Sequence, residues 1–297
     1  MNKLYDSFLT YIRCELNESA HTVASYSYDL RQWEEFTAEA FGPSFDPTQV
    51  VVNDIRQWVA YLSTQGRSAR TIRRKVQTLR ALYHYLMKRG KIDNNPAQDL
   101  STAKLHKTLP RVIRPEDIKK LLDSPFDKAD FIETRNRLII LMLYSTGMRA
   151  SELTGLLDVN VDTNSCELKV LGKRNKERMI PFGNELCNMI SLYRTLRPAA
   201  SGPQFFVEPG GVAITYPHLN NIVKGELTGR VRASKNTAHA LRHSFATDML
   251  NAGAEITAVQ QLMGHASLAA TQIYTHLSYR ELQHNYQLAH PRAQKKG

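Results

Sequence analysis

The residues in this sequence best suited to chemistry are His239 and Arg242, three residues apart, His265 directly after a glycine, and Tyr274. Spacing of three puts His239 and Arg242 on one face of a helix. Gly253 ends that helical segment. A second segment runs from about Glu255 to Met263, with Ile256, Val259 and Met263 on one side. Gly264 closes it and leaves His265 in the turn. An arginine can grip two phosphate oxygens with its planar fork. A histidine can donate to a third oxygen or move a proton near neutral pH. A tyrosine can act as a covalent nucleophile. The set suits attack on a phosphodiester whose developing negative charge is held by fixed cations. Asp248 and Glu255 are the only carboxylates between Thr237 and His276, too few for a two-metal nuclease. The reaction is therefore expected to use no metal ion and no other cofactor.

Two further groups lie upstream. Arg137 to Thr146 is a nearly continuous apolar run that predicts a buried helix. Gly147 ends it and Arg149 follows. Glu152, three residues on, is placed to orient that guanidinium. Farther along, Cys166 to Val170 alternates and Arg178 to Phe182 is again apolar, with Gly172-Lys173-Arg174-Asn175-Lys176-Glu177-Arg178 between them. This predicts a β-hairpin with a long cationic tip. Lys173 stands where the first strand enters the turn. A lysine brought there to a phosphate, with its pKa lowered, can protonate a departing oxygen.

In order, Thr146-Gly147-Met148-Arg149-Ala150-Ser151-Glu152-Leu153, then Gly172 to Arg178, then His239-Ala240-Leu241-Arg242, Leu262-Met263-Gly264-His265 and Ile273-Tyr274 resemble the active-site signature of the tyrosine recombinases, the phage-integrase family. The ending Ala289-His290-Pro291-Arg292-Ala293 is similar to that of the bacterial Xer subgroup. The resemblance implies a catalytic set of Arg149, Lys173, His239, Arg242, His265 and Tyr274, with Glu152 behind it. Tyr274 would be the nucleophile, joined to the 3′-phosphate. Lys173 would protonate the 5′-oxygen and the two arginines would hold the non-bridging oxygens. His239 would assist proton movement at the nucleophile, and His265 would donate to the phosphate. The resemblance also implies double-stranded DNA with paired recombination half-sites as partner. It further implies a homo- or hetero-tetramer on that DNA, and a second related recombinase or regulatory protein as a further partner. Arg174 stands where the family often has Gly. Asp248 stands where relatives often carry His or another polar residue, and is expected to face DNA.

The rest of the chain must position these groups. Its 39 Lys and Arg against 28 Asp and Glu give a net charge of +11, which favours a polyanionic partner. The first hundred residues read as helices. Ser19 is expected to cap one with Val23, Tyr26, Leu30 and Trp33 inward, and Asn53 or Asp54 to open another with Ile55, Trp58, Val59 and Leu62. Ser68 is expected to cap a third, with Ile72, Val76, Leu79, Tyr83 and Leu86 inward. The aromatic stripes are read as core. The third helix opens with Arg67, Arg70, Arg73, Arg74 and Lys75 and lacks acidic neighbours at helical spacing. The cluster is therefore expected to contact phosphates, setting affinity and register rather than sequence.

Residues 101–111 are polar, basic and without apolar periodicity, and read as a linker. The expected organisation is a helical domain, 1–100, that clamps DNA, the linker, and a catalytic domain, 112–297. The fold class is mainly α with a small β-hairpin or sheet, an α+β arrangement. The resemblance identifies its parts as a core-binding (SAM-like) domain and a tyrosine recombinase catalytic domain. The resemblance also implies that the last helix, with Tyr279, Leu282, Tyr286 and Ala289 on one stripe, docks into a neighbouring subunit. Cys14, Cys166 and Cys187 have no metal spacing and no evident pairing, and are expected as reduced thiols. No leader and no apolar run of membrane length is present, so a cytoplasmic protein without a membrane partner is expected. Three rival readings remain open: a DNA-binding factor that no longer cuts, a type IB topoisomerase, and an integrase of a mobile element in place of Xer-type resolution of chromosome or plasmid dimers.

Overall fold

The computed structural model describes residues 2–101, 112–172, 177–232, 236–264 and 279–293, with the side chains of 279 and 280 left aside. The chain divides into two compact units, Met1–Thr108 and Leu109–Gly297. Most of the expected linker lies outside the described residues.

The first unit is helical: α1 (Lys3–Cys14), α2 (Ala20–Phe41), α3 (Val52–Thr64) and α4 (Ala69–Lys88). Ser19 and Ser68 cap α2 and α4, each hydroxyl accepting from the backbone N–H three residues on. α3 starts earlier than expected, at Val52. Asp54 lies inside its first turn, where its carboxylate accepts from the Val51 N–H at 3.0 Å. α1 precedes the expected helices and buries Tyr5, Phe8 and Ile12, spaced to share one face. The aromatic stripes are core: Trp33 and Trp58 are fully buried, their rings 5.1 Å apart and edge to face. A ring of that size removes roughly 200 Å² from water, about 5 kcal/mol of gross burial each.

The second unit is built on α6 (Phe131–Thr146), which is buried along nearly its whole length. α5 (Pro115–Asp123), α8 (Asn184–Leu196), α9 (Tyr216–Leu227) and α10 (Ala238–Asn251) pack around it. Asp130 caps its start, accepting from the Glu133 N–H. Its two buried arginines are held: Arg135 pairs with Glu208 at 2.7 Å, and Arg137 donates to the Leu121 carbonyl and to Ser124 Oγ. The unit's sheet has three antiparallel strands in sequence order, β1 (Val161–Asp162), β2 (Glu167–Leu171) and β3 (Glu177–Pro181). β2 and β3 form the expected hairpin, with Leu168 opposite Ile180 and Val170 opposite Arg178. The short helices α7 (Ala150–Thr154) and α11 (Ile256–Met263) complete the surroundings of the site. The fold class is the expected one, mainly helical with a small antiparallel sheet.

Two expectations need correction. Cys166 and Cys187 are not separate thiols: the structure pairs them, with Cα atoms 6.4 Å apart. Cys166 precedes β2 and Cys187 lies in the first turn of α8, so the chain's return after β3 brings them together. Their separation of 21 residues carries no pairing signal in the sequence. Asp248 does not face outward. It is buried in α10 and accepts from the Tyr144 hydroxyl at 2.7 Å. The terminal helix α12 (Tyr279–Ala289) adds Tyr286 and Ala289 to this unit's own core. Arg292 follows, buried and paired with Asp123 and Glu185.

Candidate active site

The site begins where α6 stops. Gly147 turns the chain with φ +60°, the left-handed conformation that glycine adopts without a Cβ clash. Two residues later Arg149 enters α7. Glu152 reaches back to the Arg149 N–H at 2.7 Å and takes the guanidinium of the same residue at 2.7 Å. The expected partnership of Arg149 and Glu152 is therefore a direct one. Glu152 is also held face-on by Arg178 of β3, Nη1 and Nη2 each lying 2.8 Å from a carboxylate oxygen. Burial alone would raise the Glu152 pKa. The bonds from Arg178 and Arg149 outweigh it and hold the carboxyl below its ordinary value.

Three arginines meet at the C-terminal end of α11. Arg178 Nε donates to the Leu262 carbonyl at 2.8 Å, Arg242 Nη2 to Met263 at 2.6 Å and Arg149 Nη2 to Gly264 at 3.0 Å. The last carbonyls of a helix have no partner within it and carry partial negative charge. Here three consecutive carbonyls each take one guanidinium, drawn from α10, from the start of α7 and from β3. Arg242 also donates to the Gly147 carbonyl at 2.6 Å. It is buried, and its pKa is pulled down to about 10 by burial first and then by the Arg149 charge. At neutral pH it is still a cation.

His239 lies one turn before Arg242 on α10, exposed, with the His243 ring 4.2 Å away. Partial burial first, then the charges of His243 and Arg242, hold its pKa below the ordinary imidazole value. It is neutral at pH 7 and able to accept a proton. His239, Arg242 and Arg149 line one open cleft of about 670 Å³, whose other wall is α9, with Asn220, Asn221 and Lys224. Sequence reasoning assigned no role to Arg178 or to this face of α9. For Arg178 the available signal was an arginine on the strand just past a cationic hairpin tip. For α9 only its helical pattern was visible. Lys173 and Arg174, and also His265 and Tyr274, lie outside the described residues.

The basic start of α4 divides in two. Arg67, Arg70 and Arg73 are exposed. Lys75 is not: it is 2% exposed and donates to Asp29 at 2.8 Å and Gln32 at 2.6 Å. Arg74 also pairs with Asp29 and donates to Ser25. Asp29 is on α2, so the acidic partner absent at helical spacing comes from another helix. Lys75 is thus corrected from a surface cation to a core ion pair.

Residues 111–281 match the phage integrase family, and residues 5–90 match the phage integrase N-terminal SAM-like domain. The chain belongs to the phage integrase family. This tyrosine recombinase is 34% identical to tyrosine recombinase XerD of Listeria monocytogenes serotype 4b (strain F2365), the alignment covering 99% of this chain and 100% of that one. It is 36% identical to tyrosine recombinase XerC of Pseudomonas aeruginosa (strain LESB58), over 98% and 96% of the two chains. Among solved structures it resembles the Tn1549 transposon integrase in complex with transposon right end DNA, with TM-score 0.73, 22% identity, and 95% and 97% of the chains covered. It also resembles the XerH site-specific recombinase bound to palindromic difH substrate in a post-cleavage complex, with TM-score 0.70, 23% identity, and 96% and 83% covered. These two likenesses establish that the recombinase shares their fold.

Proposed function

We propose that this tyrosine recombinase cuts and rejoins double-stranded DNA at paired half-sites, in the manner of its Xer relatives, and so resolves chromosome or plasmid dimers. The observation that carries the reading is the shared cleft wall of Arg149, His239 and Arg242, two fixed cations beside an imidazole that is neutral at pH 7. Tyr274 Oη attacks a phosphorus, and its proton passes to His239. The bond from phosphorus to the 5′-oxygen breaks, and Lys173 protonates that oxygen as the 5′-hydroxyl leaves. Arg149, Arg242 and His265 hold the non-bridging oxygens as charge develops on them. The phosphodiester bond is conserved as a 3′-phosphotyrosyl link, so neither a nucleotide nor a divalent ion is consumed. Attack by the 5′-hydroxyl of a partner strand reverses the step and exchanges strands. Four subunits on paired half-sites supply the four cuts.

The test is a duplex nicked beside the crossover point, which loses a short fragment on cleavage and traps the covalent state. In EDTA the wild type is expected to give a denaturant-stable protein–DNA adduct, and Tyr274→Phe none. Adduct formation by Tyr274→Phe would overturn the assignment. Mapping the protein on host DNA distinguishes the biological roles: a single chromosomal or plasmid site supports dimer resolution, and the ends of a mobile element overturn it.

A further inference from the structure

The convergence on the end of α11 gives a role to a residue that the mechanism above does not use. We propose that Arg178 is a positioning residue for strand cleavage, fixing Glu152 and the end of α11 so that Arg149 and Arg242 are held at the separation a phosphate requires. This rests on the reading of those two arginines as phosphate-binding.

Three features carry it. First, each nitrogen of the Arg178 guanidinium is engaged, two on Glu152 and one on the Leu262 carbonyl, and the side chain is only 13% exposed, so its fork is turned to Glu152 and not to the cleft. It acts through its partners. Second, those partners are the ones that hold the phosphate-binding arginines. Glu152 takes Arg149, and the carbonyls beside Leu262 take Arg242 and Arg149. Third, the chain is shaped to admit the guanidinium. Gly264 has φ +62°, and a Cβ there would lie 3.0 Å from Arg178 Nη1. Arg178 also sits on β3, opposite Val170 of β2. It therefore ties the root of the hairpin to the site, whatever the tip does.

A planar, doubly hydrogen-bonded fork is needed for this, which a lysine does not reproduce. Displacement of catalytic groups by about 1 Å lowers rates on the order of 100-fold while leaving most of the binding surface intact. Glu152 is faced by Arg149 from the start of α7, Arg178 from β3 and, at longer range, Arg242 from α10. Removing Arg178 deprives the carboxyl of its strongest charge partner, so it protonates at a higher pH and releases Arg149.

The experiment is single-turnover cleavage of the nicked duplex by Arg178→Gln, Arg178→Lys, Glu152→Gln and the Arg178→Gln/Glu152→Gln pair, with DNA affinity and thermal unfolding measured on each. Arg178→Gln is expected to cleave roughly 100-fold more slowly while binding DNA within about twofold of wild type. Arg178→Lys should fall between the two, and in both variants the acid limb of the pH–rate profile should move to higher pH. The double variant should be no slower than the slower single one, because both changes break one unit. Losses that multiply in the double variant, an unmoved acid limb, or equal losses in binding and cleavage would overturn the proposal. If Arg178→Gln fails to fold, the Arg178→Lys profile decides alone. A wild type that forms no adduct condemns the mechanism instead, so the two failures are distinct.

Discussion

Replacing Gly147 by alanine tests the link between the buried helix and the arginine site. Gly147 combines a left-handed backbone, φ +60°, with close packing: a Cβ would overlap the Phe245 ring and lie 2.7 Å from Cε1. Phe245 is fully buried in the core, so the ring has no free space to turn into. The backbone alone costs about 1–2 kcal/mol for a residue with a Cβ. Forcing a methyl into a packed core adds about 1–3 kcal/mol. The expected destabilisation is therefore about 2–5 kcal/mol. For a unit of this size each kcal/mol moves Tm by about 2–4 °C, so a central loss of about 3 kcal/mol lowers the transition of the second unit by roughly 10 °C. Gly253 supplies an internal control. It has φ +89° but nothing within 4 Å of an added Cβ, so Gly253→Ala should show the backbone cost alone, about 1–2 kcal/mol. Urea or thermal unfolding of both variants measures the difference. Cleavage should fall with Gly147→Ala as well, because the Gly147 carbonyl accepts from Arg242. Equal transitions for the two variants would refute the packing argument.

Changing Arg67, Arg70 and Arg73 together to Gln should flatten the dependence of log affinity on log salt by up to about 2.7, at about 0.9 for each phosphate left without its cation. Lys75→Met should leave that slope unchanged, since Lys75 is buried on Asp29, and filter binding across a salt series reads both. His243→Gln removes a charge that lowers the His239 pKa, so the acid limb of the pH–cleavage profile should move up in pH; a limb that stays or moves down counts against His239 as the proton acceptor. Burial raises the Asp248 pKa, so the folded protein keeps a proton that the unfolded chain releases above about pH 4. Its contribution therefore weakens stability as pH rises through the folded pKa, and Asp248→Asn should remove that slope from unfolding measured across pH.

What could be read in the sequence was what local spacing encodes. Ser19 and Ser68 announced helix starts, Gly147 and Gly264 announced helix ends, and the period of Leu30 and Trp33 or Leu79 and Tyr83 announced inward faces. What failed to show were pairings across long stretches of chain. Asp29 with Lys75, Cys166 with Cys187 and Tyr144 with Asp248 are joined only by the fold, and in each case one member alone suggests a different role. Lys75 looked like a surface cation because its carboxylate is on another helix. The central feature of the site was hidden more deeply, because its acceptors are backbone carbonyls, which have no residue identity to read.

That feature also explains how three guanidiniums coexist. Arg149, Arg178 and Arg242 share one carboxylate, Glu152, which leaves two positive charges uncompensated. The end of α11 supplies about half a negative charge more, taken up by donors pointed at its carbonyls. These groups thus leave a net positive charge, and Lys224 on the facing wall of the cleft adds to it. A resting phosphodiester carries one negative charge, and the attacked phosphorus centre gains a second. A fixed positive pocket attracts the doubly charged state more strongly than the singly charged one, and a preference of that kind accelerates cleavage, whereas equal attraction to both would only tighten binding. Neutralising Glu152 would raise the pocket charge and strengthen attraction to DNA, yet it would free Arg149 and Arg178 to separate. Glu152→Gln should therefore bind DNA at least as well as wild type and cleave it more slowly. Weaker binding together with unchanged cleavage would show that alignment of the cations is not what Glu152 contributes.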